Sequence, residues 1–202
     1  MNRKIIFYLL FFISLFLCFY AVINHYTDFA KPKLPSINTV RTFNFTRQDG
    51  KMISEKDLIG KTYIANYFFT TCNGICPKMN HNMQNLFEQL KGNQHFMILS
   101  HTVDPERDSV PRLKHYADSL HAPINQWWFL TGSKQSLYKV ARESYLLDDP
   151  KNSSKNIDEQ FLHTQFFALV DKNGIVRGIY DGLKKDELKQ LVIDTQLLLS
   201  QY

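Results

Sequence analysis

Cys72 and Cys76 are the residues of this 202-residue chain best suited to do chemistry. They lie in Thr70-Thr71-Cys72-Asn73-Gly74-Ile75-Cys76-Pro77, with three residues between them. In a helical turn, positions i and i+4 point the same way. A tight loop through Asn73-Gly74 also lets the sulfurs approach. Either arrangement allows two thiolates to share one small ion or to close a Cys72–Cys76 disulfide. Pro77 suits the first turn of a helix, so Cys76 is expected at a helix N-terminus, where the dipole favours a thiolate.

Two soft thiolates suit copper(I), and an added imidazole gives a site that also holds copper(II). Of the seven histidines, His163 is the one selected, because it begins an expected strand just after a long polar segment. Taken alone, a histidine in that place is more often structural or merely exposed. Met79 and Met83 follow the cysteines at helical spacing. They read as core fillers, although a thioether can assist copper transfer. His81 and His101 are possible auxiliary ligands, with surface or strand-end roles as the default. Asp104 and Asp108 flank an expected helix start, where capping is the default. No Ser-His-Asp, phosphate-loop or paired-carboxylate arrangement stands out.

The elements that must position these residues follow from periodicity. Thr62 to Phe69 is β-branched and aromatic, a buried strand that leads straight into the cysteines. Residues 77–91 carry Met79, Met83, Leu86, Phe87 and Leu90 at helical spacing. Further strands are expected at 95–103, 127–130, 163–170 and 175–180, with helices after Ser109, after Ser133 and from Lys185 to Ser200. Asp171-Lys172-Asn173-Gly174 marks a hairpin, and a first hairpin turns at Gln48-Asp49-Gly50-Lys51. Residues 148–160 read as a polar loop. Early strand–helix alternation with a late hairpin implies an α/β fold: a mixed sheet flanked by helices on both faces.

Ile5 to Ile23 is apolar and free of charge, Pro and Gly. It is just long enough to cross a bilayer as a helix. Arg3 and Lys4 precede it, which places residues 1–4 in the cytoplasm (or matrix) and everything after Asn24 on the periplasmic or extracytoplasmic side of the inner membrane. The exit Ala21-Val22-Ile23-Asn24 makes a poor signal-peptide cleavage site. Leu17 before Cys18 argues against a lipoprotein, and Cys18 reads as an apolar filler. Residues 5–23 are therefore expected as a retained single-pass anchor. Residues 24–36 follow as a Pro-punctuated linker and residues 37–202 as the globular domain. Without Arg3 and Lys4, 22 basic residues face 19 acidic ones, a charge of +3, and they are dispersed. That pattern gives no footprint for nucleic acid.

Three segments together resemble the Sco/SenC family of copper chaperones for cytochrome c oxidase. Phe69 to Pro77 is similar to its aromatic-Thr-x-Cys-x-x-x-Cys-Pro segment. Val103-Asp104-Pro105-Glu106-Arg107-Asp108-Ser109 resembles its second signature, and Leu162-His163-Thr164 with Phe167 to Gly174 resembles its third. Asn73 stands where the family often has Pro, and Leu162 and Thr164 stand where it usually has Asp and Ser. The resemblance implies a thioredoxin-like fold and one copper ion, Cu(I) or Cu(II), held by Cys72, Cys76 and His163. It further implies a part in building the copper A centre of cytochrome c oxidase, whose copper A subunit, or another copper or thiol protein, would be the partner.

A binding and delivery protein is thus the leading reading, ahead of an enzyme. The alternative is a membrane-anchored thiol–disulfide oxidoreductase that uses Cys72 and Cys76 to reduce partner cysteines. A thioredoxin-superfamily peroxidase is a third reading, and the sequence around the reactive Cys lends it no support. His163 separates the first two, because exchange chemistry does not require it and copper(II) binding does.

Overall fold

The computed structural model describes residues 3–26, 33–72, 74–154, 156–162 and 164–202. His163 and Asn73 lie outside the described residues. Contacts divide the chain into two units, Met1–Leu34 and Pro35–Tyr202. The first contains α1, Arg3–Tyr26. At 1.5 Å per residue α1 is about 36 Å long, enough to cross a hydrocarbon core. Its apolar side chains from Ile5 to Val22 face outward, as a lipid-embedded helix requires. Among the described residues it is the one helix long and apolar enough to span a membrane. The chain is a single-pass membrane protein with its globular unit on the extracytoplasmic side.

The second unit is built on a mixed eight-stranded sheet of order β1-β8-β7-β4-β5-β6-β2-β3. In chain order the strands are β1 (Asn38–Thr39), β2 (Asn44–Arg47), β3 (Met52–Ser54), β4 (Thr62–Phe68), β5 (Phe96–Thr102), β6 (Trp127–Thr131), β7 (Phe166–Val170) and β8 (Ile175–Asp181). The helices are α2 (Cys76–Leu90), α3 (Val110–Ser119), α4 (Lys134–Glu143) and α5 (Lys185–Leu199). β4 runs parallel to β5, and β5 to β6. The other pairings are antiparallel. All seven residues of β4 and of β5 are buried, which explains their mostly apolar and β-branched character; the buried polar Asn66 and Ser100 hydrogen-bond to each other.

Alternate residues of the central strands face opposite helices. Tyr63, Ala65 and Tyr67 of β4, with Met97 and Leu99 of β5, share a cluster with Leu137, Tyr138, Val140 and Ala141 of α4. On the other face Phe68 stacks on Tyr116 of α3 at 5.2 Å, and Trp127 lies 5.7 Å from Phe87 of α2. Helices therefore cover both faces, as the sequence implied. Ser133 caps α4, its Oγ accepting the Ser136 N–H at 3.2 Å.

Several expected boundaries shift. β7 begins at Phe166; the strand expected from residue 163 starts later, since Thr164 and Gln165 pair with no strand, and residue 163 itself lies outside the described residues. Residues 148–160 include two single 3-10 turns, Pro150–Ser154 and Ile157–Glu159. The two-residue β1 was not anticipated; polar Asn38 and Thr39 carry no strand signature, and only pairing with Val176 and Ile175 makes them one.

Topology decides where the cysteines stand. Because β4 and β5 are parallel, both end at the same edge of the sheet. β7 is antiparallel to β4, so its first residue lies at that edge too. The cysteine loop after β4, the Val103–Ser109 segment after β5 and the segment before β7 therefore meet at one edge.

Candidate metal and redox centre

The backbone leaves β4 at Phe68 and turns at once, with the Cys72 N–H donating to the Phe69 carbonyl at 3.2 Å. Cys76 is the first residue of α2, and Pro77 follows in its first turn, where the missing N–H costs nothing. The Met79 N–H closes the first helical bond, to the Ile75 carbonyl at 3.0 Å. Both cysteines are free thiols, Cys72 half-buried and Cys76 only 6% exposed.

The two sulfurs hydrogen-bond to each other, and their surroundings push them apart in acidity. For Cys72, burial raises the thiol's pKa, but this is outweighed. The Cys76 thiol and the backbone amides of Cys76, Gly74 and Ile75 all aim at its sulfur, so Cys72 lies below the ordinary thiol range. Burial, and then donation to Cys72, push Cys76 up to about 12. This corrects the expectation that the helix end would favour a thiolate at Cys76. The free amides at the start of α2 converge on the sulfur four residues earlier, while Cys76 itself turns inward out of water.

A cavity of about 350 Å³ opens over both thiols. Its walls are largely apolar, with Tyr67, Phe68 and Phe69 from β4 and the residue after it, Val103 from the loop after β5, and Leu162. Leu162 and Thr164, the neighbours of His163 on either side, both line it. Ile75, 44% exposed, stands at the mouth. Among the described residues no cluster of three or more His, Cys, Asp or Glu side chains forms.

A buried carboxylate holds the cysteine loop in place. Asp108, 1% exposed, accepts from the Thr70 N–H at 3.2 Å and from the hydroxyls of Thr70 and Thr102. Arg112 adds Nε to the Thr70 hydroxyl at 2.7 Å. The capping role expected of Asp108 is not the one found. Ser109 is the N-cap of α3 and makes no side-chain cap bond, and the Asp108 carboxylate turns back to the cysteine loop. Asp104 pairs loosely with Arg107 at 3.7 Å.

The remaining candidates are placed as follows. Met79 and Met83 are buried core residues at 2% and 0% exposure. His81 is exposed on α2. His101 is wholly buried, stacked on Tyr67 at 5.0 Å with Nδ1 3.3 Å from the Asn66 carbonyl. Burial pushes its pKa down to about 4.

The profile of the SCO1/SenC family matches residues 32–196. The chain belongs to the SCO1/SenC family. A SCO1 protein homolog of Bacillus subtilis is 33% identical over 161 residues, covering 78% of this chain and 81% of that one. BsSco, a member of the Sco family of cytochrome c oxidase assembly proteins in which a disulfide switch was identified, superposes with a TM-score of 0.70 at 30% identity, covering 85% of this chain and all of that one (100%). Arabidopsis thaliana ScoI with copper bound superposes with a TM-score of 0.62 at 26% identity, covering 81% and 99%. The fold of this SCO1/SenC protein is therefore thioredoxin-like, preceded by the apolar helix α1.

Proposed function

We propose that this SCO1/SenC protein is a membrane-anchored copper chaperone that delivers copper to, or matures, the copper A centre of cytochrome c oxidase. The division into residues 1–4, anchor 5–23, linker 24–36 and domain 37–202 belongs to the same reading. One observation carries it: two hydrogen-bonded thiols share an apolar cavity with Leu162 and Thr164, the residues on either side of His163. The ligands of the single copper ion are Cys72, Cys76 and His163. Two thiolates suit copper(I), and the imidazole extends the site to copper(II). Apolar walls keep water from competing for the ion, and the Asp108 clamp fixes the loop that carries the first ligand. The copper-bound Arabidopsis relative and the oxidase-assembly relative support this assignment.

A second reading rests on the unequal acidity of the pair. A more acidic, half-exposed Cys72 beside a buried Cys76 fits dithiol exchange. The Cys72 thiolate would attack a partner disulfide and release one partner thiol. Cys76 would then attack the mixed disulfide, leaving a Cys72–Cys76 disulfide and a partner reduced by two electrons. The relative with a disulfide switch favours keeping this as a companion activity of the same cysteines. Metal analysis of the purified protein, with a copper(II) absorption spectrum before and after His163→Ala, tests the main reading. The wild type should bind one copper and show a thiolate charge-transfer band that the variant lacks. A wild type that binds neither copper state, yet reduces disulfides, would transfer the assignment to exchange chemistry.

A further inference from the structure

Two walls of the thiol cavity come from segments far apart in sequence, Val103 after β5 and Leu162 before β7. One buried hydroxyl joins them. Tyr138, in the middle of α4, is wholly buried. Its hydroxyl donates to the Val103 carbonyl at 2.9 Å and accepts from the Leu162 N–H at 3.3 Å. One helical turn on, Arg142 lies 5.6 Å from the Tyr138 ring, donates to Asp148 at 2.6 Å and also bonds the Gln160 side chain. α4 thus grips the 148–162 segment at three successive points, and the last of them is the residue before His163. Beyond His163 the chain is tied elsewhere: Gln165 donates to Asp181 at 2.6 Å, and its carbonyl accepts the Gly182 N–H at 2.8 Å.

We propose that Tyr138 is a positioning residue for the third copper ligand: its hydroxyl ties the backbone at Leu162, the residue that precedes His163 in the chain, to the cavity wall at Val103. The inference rests on the copper reading above. The Leu162 side chain is apolar and buried, so it offers no polar bond of its own to orient this stretch. The hold is through its backbone N–H. Groups that orient a metal ligand typically change affinity by about 10–100-fold when removed. Copper(II) needs the imidazole; the disulfide and two-thiolate copper(I) do not. Loosening the Leu162 backbone should therefore weaken copper(II) binding selectively.

The test is Tyr138→Phe in the full-length chain in detergent. This variant keeps the ring and removes only the oxygen that joins the two segments. Copper(II) affinity should fall at least about tenfold relative to wild type. The Cys72–Cys76 reduction potential and copper(I) affinity should stay near wild type, which a merely loosened fold would not produce. Copper(II) affinity equal to wild type in a folded variant would overturn the proposal while leaving the copper reading intact. A wild type that binds no copper(II) would overturn both. Hydrogen exchange of the Leu162 amide in the wild type gives a check that does not depend on the variant folding. Protection is expected, and exchange at the rate of a free amide would overturn the proposal.

Discussion

Acidification from pH 7 to 4.5 should unload stability through one side chain, His101. Its ring is fully buried between Tyr67 and Phe45, with centroids 5.0 and 5.6 Å away. Burial lowers its pKa from 6.5 to about 4 in the folded protein. As pH falls below 6.5 the unfolded chain takes up a proton that the native state refuses until about pH 4. The unfolded state then binds more protons, so unfolding free energy falls with pH by about 1.4 kcal/mol per unit across that window. From pH 6.5 to 4.5 the loss is on the order of 2–3 kcal/mol, a large share of a domain's net stability. The assay is equilibrium urea unfolding of residues 33–202 at half-unit pH steps, with His101→Phe as the non-titrating comparison. Between pH 6.5 and 4.5 the wild type should lose about 2–3 kcal/mol more than the variant, whatever the variant's absolute stability. A flat wild-type curve, or an equal slope in His101→Phe, would refute the reasoning. The same burial keeps His101 from serving as an auxiliary copper ligand.

The other expectations concern the thiol site and the anchor. Asp108→Ala strips partners from the Thr70 N–H and from two hydroxyls at once, and should cost about 3 kcal/mol in urea unfolding. A loss under about 1 kcal/mol would contradict the clamp. Iodoacetamide should modify Cys72 at pH values where an ordinary thiol is still protonated, with Cys76, at about 12, lagging far behind. Peptide mapping that found equal labelling would contradict the asymmetry. Mass determination should find residues 5–23 retained in the mature, membrane-extracted protein, and a start at Asn24 or later would contradict a permanent anchor.

Much of this arrangement was legible in the sequence because it is local. The β-branched and aromatic run from Thr62 to Phe69 reads as a buried strand and is one to Phe68, Pro77 marks the start of α2, and Asp171-Lys172-Asn173-Gly174 marks its hairpin. What escaped depends on distant partners. The two polar residues of β1 become a strand only against β8, and strand order has no local signature. Asp108 looked like a cap from its neighbours, yet its carboxylate answers to Thr70, 38 residues away. The amides at the start of α2 favour the thiolate of Cys72 and not that of Cys76, because the core buries Cys76, and that burial has no local signature. Tyr138 gave no signal at all: a tyrosine at a helical core position looks like any other until Val103 and Leu162 are seen to meet at its hydroxyl.

The central claim is a copper ion held by two sulfurs and one imidazole, and X-ray absorption at the copper edge measures that directly. Copper(II)-loaded protein should show two sulfur scatterers and at least one histidine nitrogen, and His163→Ala should remove the imidazole signal while the sulfurs remain. A first shell made only of nitrogen and oxygen, or an imidazole signal that survives His163→Ala, would contradict the assignment.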